Sequence, residues 1–272
     1  MAYSKLQAGE RTKVGLDTDR KDFFYYLLNA RDSETGNGFS PAELWGESNL
    51  LIIAGSDTTS TALASAFFYL VHNQDKLDRV AREVCATFSD VEEIRSGPTL
   101  NSCHYLRAVI DEAMRLSPPV GGILPREVLA DGLDIDGLHI PAGTVVGTPH
   151  YALHHNPAYF PEPFSFLPER WIPSNIPGSS ASEETVKLAH SAFCPFSVGP
   201  RGCIGKEIAY LELMTTLARV LLMYEMRQVA GSHVGEGSPE KELGRKREGE
   251  YQLRDCFTSM KDGPVVEFRK RS

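Results

Sequence analysis

From Pro41 to about His72 the chain carries apolar and small residues with no further proline. Proline removes a backbone donor and clashes with the preceding turn, so a run free of it can hold one unbroken helix. The start is marked as well. Ser40 can cap, Pro41 suits the first helical position, and Glu43 completes a capping box. The richest stretch, 50–70, is interrupted by Gly55, Ser56, Asp57, Thr58 and Thr59, which makes a poor membrane span. A long buried helix is predicted, and the rest of the chain must supply partners to cover it. With 272 residues, 42% apolar and 24% charged, the chain has the profile of a soluble globular protein of one large domain or two ordinary ones.

Charge and cysteine usage narrow the class. A net charge of -8 argues against a nucleic-acid binder that relies on a basic surface, though it leaves room for a local basic patch. Residues 1–13 have no apolar core, so neither a signal peptide nor an N-terminal anchor is predicted, and the chain as given reads as cytosolic. Its five cysteines form no CxxC pair and make no disulfide scaffold, which suits a reducing environment.

Two more helices are predicted, over 74–88 and over 102–116. The second has Leu106, Val109, Ile110, Ala113 and Leu116 at helical spacing and is stopped by Pro118-Pro119. The period then changes. Leu133 and Ile135, then Leu138 and Ile140, alternate with polar residues around Asp136-Gly137, the pattern of a small antiparallel sheet. Residues 156–199 read as an irregular packed meander. A last helix is predicted over 204–226, with Ile204, Ile208, Leu211, Ala218 and Leu221 on one side. Residues 230–252 read as a solvated loop, and 263–269 as an edge strand. No internal repeat is found. The fold class is mainly α with a small antiparallel β-sheet.

The stretch 196–205 carries the chemistry. Cys203 sits where a glycine-rich turn meets a helix N-terminus, and backbone N–H groups there favour a thiolate. Gly199, Gly202 and Gly205 let the backbone approach a flat ligand closely, and Arg201 can reach a carboxylate on it. These are the requirements of a thiolate-ligated haem. An inert buried cysteine is the ordinary alternative. A phosphate loop fails, because Lys206 is followed by Glu207 rather than Ser or Thr. A nucleophilic cysteine needs a base that the sequence does not place. Glu112 and Arg115, at i and i+3, share a helix face. His150 and His154 are spaced i and i+4, but Tyr151 stands where a zinc-protease motif needs Glu, so both read as structural.

Taken together the motifs resemble the cytochrome P-450 family of haem-thiolate monooxygenases. The pattern Phe-x-x-Gly-x-Arg-x-Cys-x-Gly is met by Phe196, Gly199, Arg201, Cys203 and Gly205. Glu-x-x-Arg is met by Glu112 and Arg115, Pro-Glu-Arg by residues 168–170, and the long-helix oxygen motif by residues 54–59. The resemblance implies haem b with Cys203 as axial ligand to iron, and Arg170 as the third member of a structural network with Glu112 and Arg115. It also implies that Asp57 and Thr58 deliver protons during oxygen activation, and that Arg126 serves a haem carboxylate. Val120, Ile123 and Leu124 would line an apolar substrate pocket. The implied reaction inserts one oxygen atom of O2 into a hydrophobic small molecule. No GxGxxG follows a strand, so electrons are expected from a separate flavoprotein reductase using NADPH.

By the same resemblance, residues 1–272 are the C-terminal part of one P-450-like domain, from the oxygen-binding long helix through the haem-cysteine helix to the C-terminus, and the N-terminal half of the fold is absent. A full-length relative would sit at the endoplasmic reticulum membrane. The competing readings are an inactive truncated fragment acting as a haem-binding or interaction module, and a cysteine-dependent transferase without haem.

Overall fold

The computed structural model describes residues 21–173 and 181–271. The opening stretch, 1–13, and part of the meander, 174–180, lie outside the described residues. The chain divides into two compact units, 1–56 and 57–272.

In the first unit α1, Phe23–Asn29, is capped by the Asp22 carboxylate, which accepts from the Tyr25 amide at 3.0 Å, and it buries no residue. Helix α2, Pro41–His72, begins in this unit with the reciprocal capping that its first residues encode. The Glu43 amide donates to Ser40 Oγ at 3.3 Å, and the Ser40 amide donates to Glu43 Oε2 at 2.7 Å. Leu44 and Ser48 are buried, whereas Trp45, Leu50, Ile52 and Ile53 are exposed.

In the second unit α2 continues into the core, and from Thr61 to Val71 its side chains are buried or partly so. The long helix is therefore buried continuously only in this part, and is exposed or half-buried over 52–60. By length and composition alone it would be able to cross a membrane. Helix α3, Gln74–Thr87, turns Leu77, Val80, Ala81 and Val84 inward. The expected helix over 102–116 divides into a single turn, α4 (Pro98–Asn101), and α5 (His104–Leu116). Every side chain of α5 from Ala108 to Leu116 is buried, because α3, α6 (His150–His154), the 3-10 turn Pro168–Trp171 and α8 (Lys206–Met223) all pack against it.

Among the described residues the strands pair as four separate two-stranded antiparallel sheets. Strand β1 (Arg126–Glu127) pairs with β4 (Val145–Val146), and β2 (Leu133–Ile135) with β3 (Leu138–Ile140). Asp136 and Gly137, with φ of 49° and 82°, turn the β2–β3 hairpin in the conformation that Asp-Gly favours. Strand β5 (Tyr224–Gln228) pairs with β8 (Val266–Lys270), and β6 (Leu253–Cys256) with β7 (Thr258–Lys261). Between β5 and β6 the chain makes turns and one isolated bridge, Glu236 to Tyr251, and Glu250 and Tyr251 are buried.

Two expectations are corrected. The meander contains a helix, α7 (Glu183–Ala192), capped by Ser182 and burying Val186, Ala189 and Ala192. The last helix ends at Met223 rather than 226, because Tyr224–Gln228 leaves it to pair with β8.

Candidate haem-thiolate site

The cysteine loop is shaped by its own backbone. The Ser197 amide donates to the Cys194 carbonyl at 2.9 Å, Gly202 to Gly199 at 2.9 Å, and Cys203 to Phe196 at 2.8 Å. Gly199 opens a 3-10 turn, Gly199–Arg201, at φ 72°, a conformation glycine adopts without steric cost. The Phe196 ring packs on Tyr210 of α8, with centroids 5.0 Å apart. The Cys203 thiol stands exposed three residues before α8 begins. Ile204 is 92% exposed and Val198 75%. The buried face of α8 is Tyr210, Leu213, Met214, Leu217, Ala218 and Leu221. Of the apolar residues that periodicity groups on one side, Ala218 and Leu221 are buried, whereas Ile204, Ile208 and Leu211 are exposed.

These residues fit a haem. A soft sulfur ligand stands at an apolar surface. A Cβ at Gly199 would meet nothing within 4 Å, and one at Gly205 would meet only Cys203 Sγ, at 3.8 Å. An apolar rim around an exposed thiol is what a thiolate-bound macrocycle needs. Arg201 is exposed and makes no ion pair among the described residues. The Arg126 guanidinium, also exposed, donates to the neighbouring Pro125 carbonyl at 2.8 Å and makes no ion pair among the described residues. Both guanidinium groups are thus free to meet a carboxylate.

The structure brings Glu112, Arg115 and Arg170 together, all at or near full burial. Arg115 grips Glu112 with Nε and Nη2, each at 2.9 Å, and Arg170 Nε donates to it at 3.0 Å. Two further donors complete the carboxylate: Trp171 Nε1 at 2.9 Å and the Leu167 amide at 3.0 Å. Burial alone would raise the Glu112 pKa, but the charge and hydrogen bonds of Arg115, then Arg170 and the Leu167 amide, hold it below the usual carboxylate range. Arg115 also reaches outward, donating to the carbonyls of His154 (2.8 Å), Pro163 (2.7 Å) and Ser165 (3.2 Å). It thereby fastens the meander to α5.

Neighbouring groups extend this polar core: Asp111, which no motif marks, and Glu169, the middle residue of the Pro-Glu-Arg motif. Asp111 accepts from Tyr210 Oη at 2.7 Å and Arg107 Nε at 3.0 Å, and the Arg107 guanidinium lies 3.4 Å from the Tyr210 ring centroid. Burial raises the Asp111 pKa against the pull of Arg107. Glu169 accepts from Lys76, Arg79 and Tyr105. The i, i+4 spacing of Arg107 and Asp111 is readable in sequence. The partners of Tyr210 and Glu169 lie far along the chain and are not.

Asp57 and Thr58 lie on α2, Asp57 exposed and Thr58 half-buried. Nothing ties the Asp57 carboxylate to the cysteine loop among the described residues. The Asp57 carbonyl accepts from Ser60 Oγ at 3.1 Å and Thr61 Oγ1 at 2.8 Å, the back-bonding that loosens helices locally. One turn on, Ala62 and Ala66 are buried, so this part of the small-residue stripe serves close packing. The segment 118–124 is anchored on both sides. Pro118 and Pro119 carbonyls accept from Ser259 of β7, at 3.1 Å and 2.8 Å, and Gly121 accepts from the Tyr151 amide at 2.9 Å. Ile123 remains half-exposed, as does Phe257 at the β6–β7 turn, which sequence reasoning did not single out.

An exposed cysteine thus closes a glycine turn ahead of α8, while a buried carboxylate held between two guanidinium groups ties the meander to α5. The family model for cytochrome P-450 matches residues 3–249. The chain belongs to the cytochrome P-450 family. Among similar proteins, cytochrome P-450 monooxygenase AKT7 of Alternaria alternata is 48% identical over 256 residues, which cover 93% of this chain and 49% of the relative. A cytochrome P-450 monooxygenase of Gibberella zeae is 44% identical over 255 residues, covering 93% and 57% respectively. The chain spans about half the length of the curated relatives it matches. Among solved structures, retinoic acid-bound cyanobacterial CYP120A1 superposes with a TM-score of 0.76 at 26% identity, over 99% of this chain and 55% of that one. The chain is thus an oxidoreductase by family, with a partial P-450 fold.

Proposed function

We propose that the chain forms the haem-binding part of a monooxygenase that inserts one atom of O2 into a hydrophobic small molecule, with electrons from a flavoprotein reductase using NADPH. The observation that carries this reading is the exposed Cys203 thiol at the end of the glycine turn, with its own amide bonded back to Phe196. When bound through a thiolate, haem supplies electron push that favours O–O cleavage. The protein's own residues do the rest. Cys203 Sγ is the ligand, and the Phe196–Cys203 hydrogen bond fixes where it stands. Arg201 and Arg126 are offered to the haem carboxylates. Glu112, Arg115 and Arg170 hold the meander behind the loop. Asp57 and Thr58 move protons from solvent toward the reacting oxygen, a role that suits an exposed carboxylate beside a half-buried hydroxyl. Ile123 and Phe257 present apolar surface to substrate.

The test is a reduced, carbon-monoxide difference spectrum of the protein and of Cys203→Ala. The thiolate-type Soret band is expected in the first and lost in the second. An unaltered thiolate spectrum in Cys203→Ala would overturn the ligand assignment, and no haem spectrum in either would overturn the function.

A further inference from the structure

We infer that His154 is a positioning residue for the cysteine loop: its Nε2 holds the Cys194 amide and its carbonyl holds Arg115, tying the buried carboxylate network to the segment that leads into Cys203. The inference rests on the reading of Cys203 as the haem ligand and deepens it.

His154 closes α6 and is fully buried. Its Nε2 lies 3.1 Å from the Cys194 amide nitrogen. An amide can only donate, so this ring nitrogen accepts, and the neutral ring carries its proton on Nδ1. Nδ1 has no hydrogen-bond partner among the described residues. Buried polar groups are seldom left so, and here the orientation that satisfies the loop is kept at the cost of the other nitrogen. Burial first, then the neighbouring charges of His150 and Arg115, bring the His154 pKa down to about 3, so the accepting nitrogen stays available across the working pH range. The ring is wedged against Phe193 and Phe160, at centroid distances of 5.4 Å and 6.3 Å. The Cys194 thiol stands 3.9 Å from the same nitrogen, too far to replace the amide as its partner.

The connection then runs on without a gap. Arg115 Nη1 donates to the His154 carbonyl at 2.8 Å, and Nε2 of the same residue fixes Cys194. The Cys194 carbonyl accepts from Ser197, and the Phe196 carbonyl accepts from Cys203. A displaced Cys194 would shift both of the hydrogen bonds that set the height of the thiol.

The experiment uses the protein with any sequence that precedes residue 1 in its gene, as wild type, His154→Leu and His154→Gln. Glutamine keeps a neutral acceptor at the end of the side chain. Amide hydrogen exchange is followed in the haem-free protein, and the thiolate fraction in the reduced carbon-monoxide complex. In His154→Leu the Cys194, Ser197 and Cys203 amides should exchange about tenfold faster, the loss expected for one buried hydrogen bond. The Leu167 amide, held by Glu112, should be unchanged. The thiolate fraction should fall, and His154→Gln should recover most of both effects. Unchanged exchange at Cys194 and an unchanged thiolate fraction in His154→Leu would overturn the inference, as would equal acceleration at Leu167. Should His154→Leu fail to fold, the imidazole nitrogen shifts of the wild type decide: a proton on Nδ1 supports the inference and one on Nε2 overturns it. A wild type without any thiolate band defeats the haem reading alone, while the exchange data still test the link between His154 and the loop.

Discussion

Glu112 is a carboxylate removed from water that remains ionised only because its partners are all present. Remove one and the remaining charge has no compensation. Arg115→Ala should therefore cost about 3–5 kcal/mol of stability, the range for breaking a buried pair, and urea unfolding of the variant would measure it. A well-folded, haem-loaded Arg115→Ala protein that loses only turnover would contradict a bracing role. The buried histidines give a pH signature of definite sign. His154 and His155 have pKa values brought down to about 3 and about 4 from the ordinary 6.5, burial being the first cause in each. The folded protein keeps both neutral where the unfolded chain would protonate them. Below 6.5 the unfolded state binds more protons, so stability falls as pH drops toward 4, by about 1.4 kcal/mol per pH unit for each histidine. Glu112, with its lowered pKa, adds to the loss below the ordinary carboxylate range, whereas Asp111, with its raised pKa, opposes it. Unfolding curves at pH 7, 6 and 5 should show this decline, and His154→Gln should make it shallower. A profile that is flat between pH 6.5 and 5 would contradict the neutral buried rings.

Helix α5 has no side-chain cap of its own at Cys103. Glu83, from α3, takes that place by accepting the Tyr105 and Leu106 amides at 2.9 Å and 2.8 Å. Glu83→Ala should lower the thermal midpoint by the equivalent of about 1–2 kcal/mol, the upper part of the range for a lost cap, and Glu83→Gln should cost less because an acceptor remains. On α8 the two faces should separate cleanly. Leu217→Ala should cost about 2–5 kcal/mol as a core deletion, while Ile204→Ala should stay within about 0.5 kcal/mol in folding and weaken haem retention. That face was not legible in the sequence. The helix carries apolar residues nearly all the way round, so periodicity alone groups the exposed Ile204, Ile208 and Leu211 with the buried Ala218 and Leu221 and passes over Leu213 and Leu217. Helix α7 was hidden for another reason, since prolines crowd the segment before it and only Val186, Ala189 and Ala192 mark its inner side. Glu112 and Arg115 were legible because charges inside an apolar helix stand out, and Cys203 because glycines frame it. Trp171 and Glu83 were not, because each acts through a partner from a distant part of the chain, and His154 was legible as a structural residue but its partners Cys194 and Arg115 were not.

The second unit has a continuous core around α5, whereas the first holds little of its own. Helix α1 buries nothing, and Phe23, Tyr26, Phe39, Trp45, Leu50, Ile52 and Ile53 are all exposed. Scattered apolar side chains need no explanation, but a run of large ones this dense is what soluble monomers avoid. Covering such side chains is worth roughly 25 cal/mol per Å2 of apolar area. The net stability of a domain is only about 5–15 kcal/mol, so leaving them uncovered is a substantial part of the balance. Residues 1–272 produced alone should therefore self-associate, bind the dye ANS strongly and retain haem weakly. Producing the chain with any coding sequence that precedes residue 1 in its gene should reverse all three, since the curated relatives extend to about twice this length. The comparison is made by light scattering, dye fluorescence and haem absorbance on the two products. If residues 1–272 alone are monomeric, melt in one cooperative transition and bind no dye, then α1 and the start of α2 need no further cover, and the exposed side chains carry no such cost.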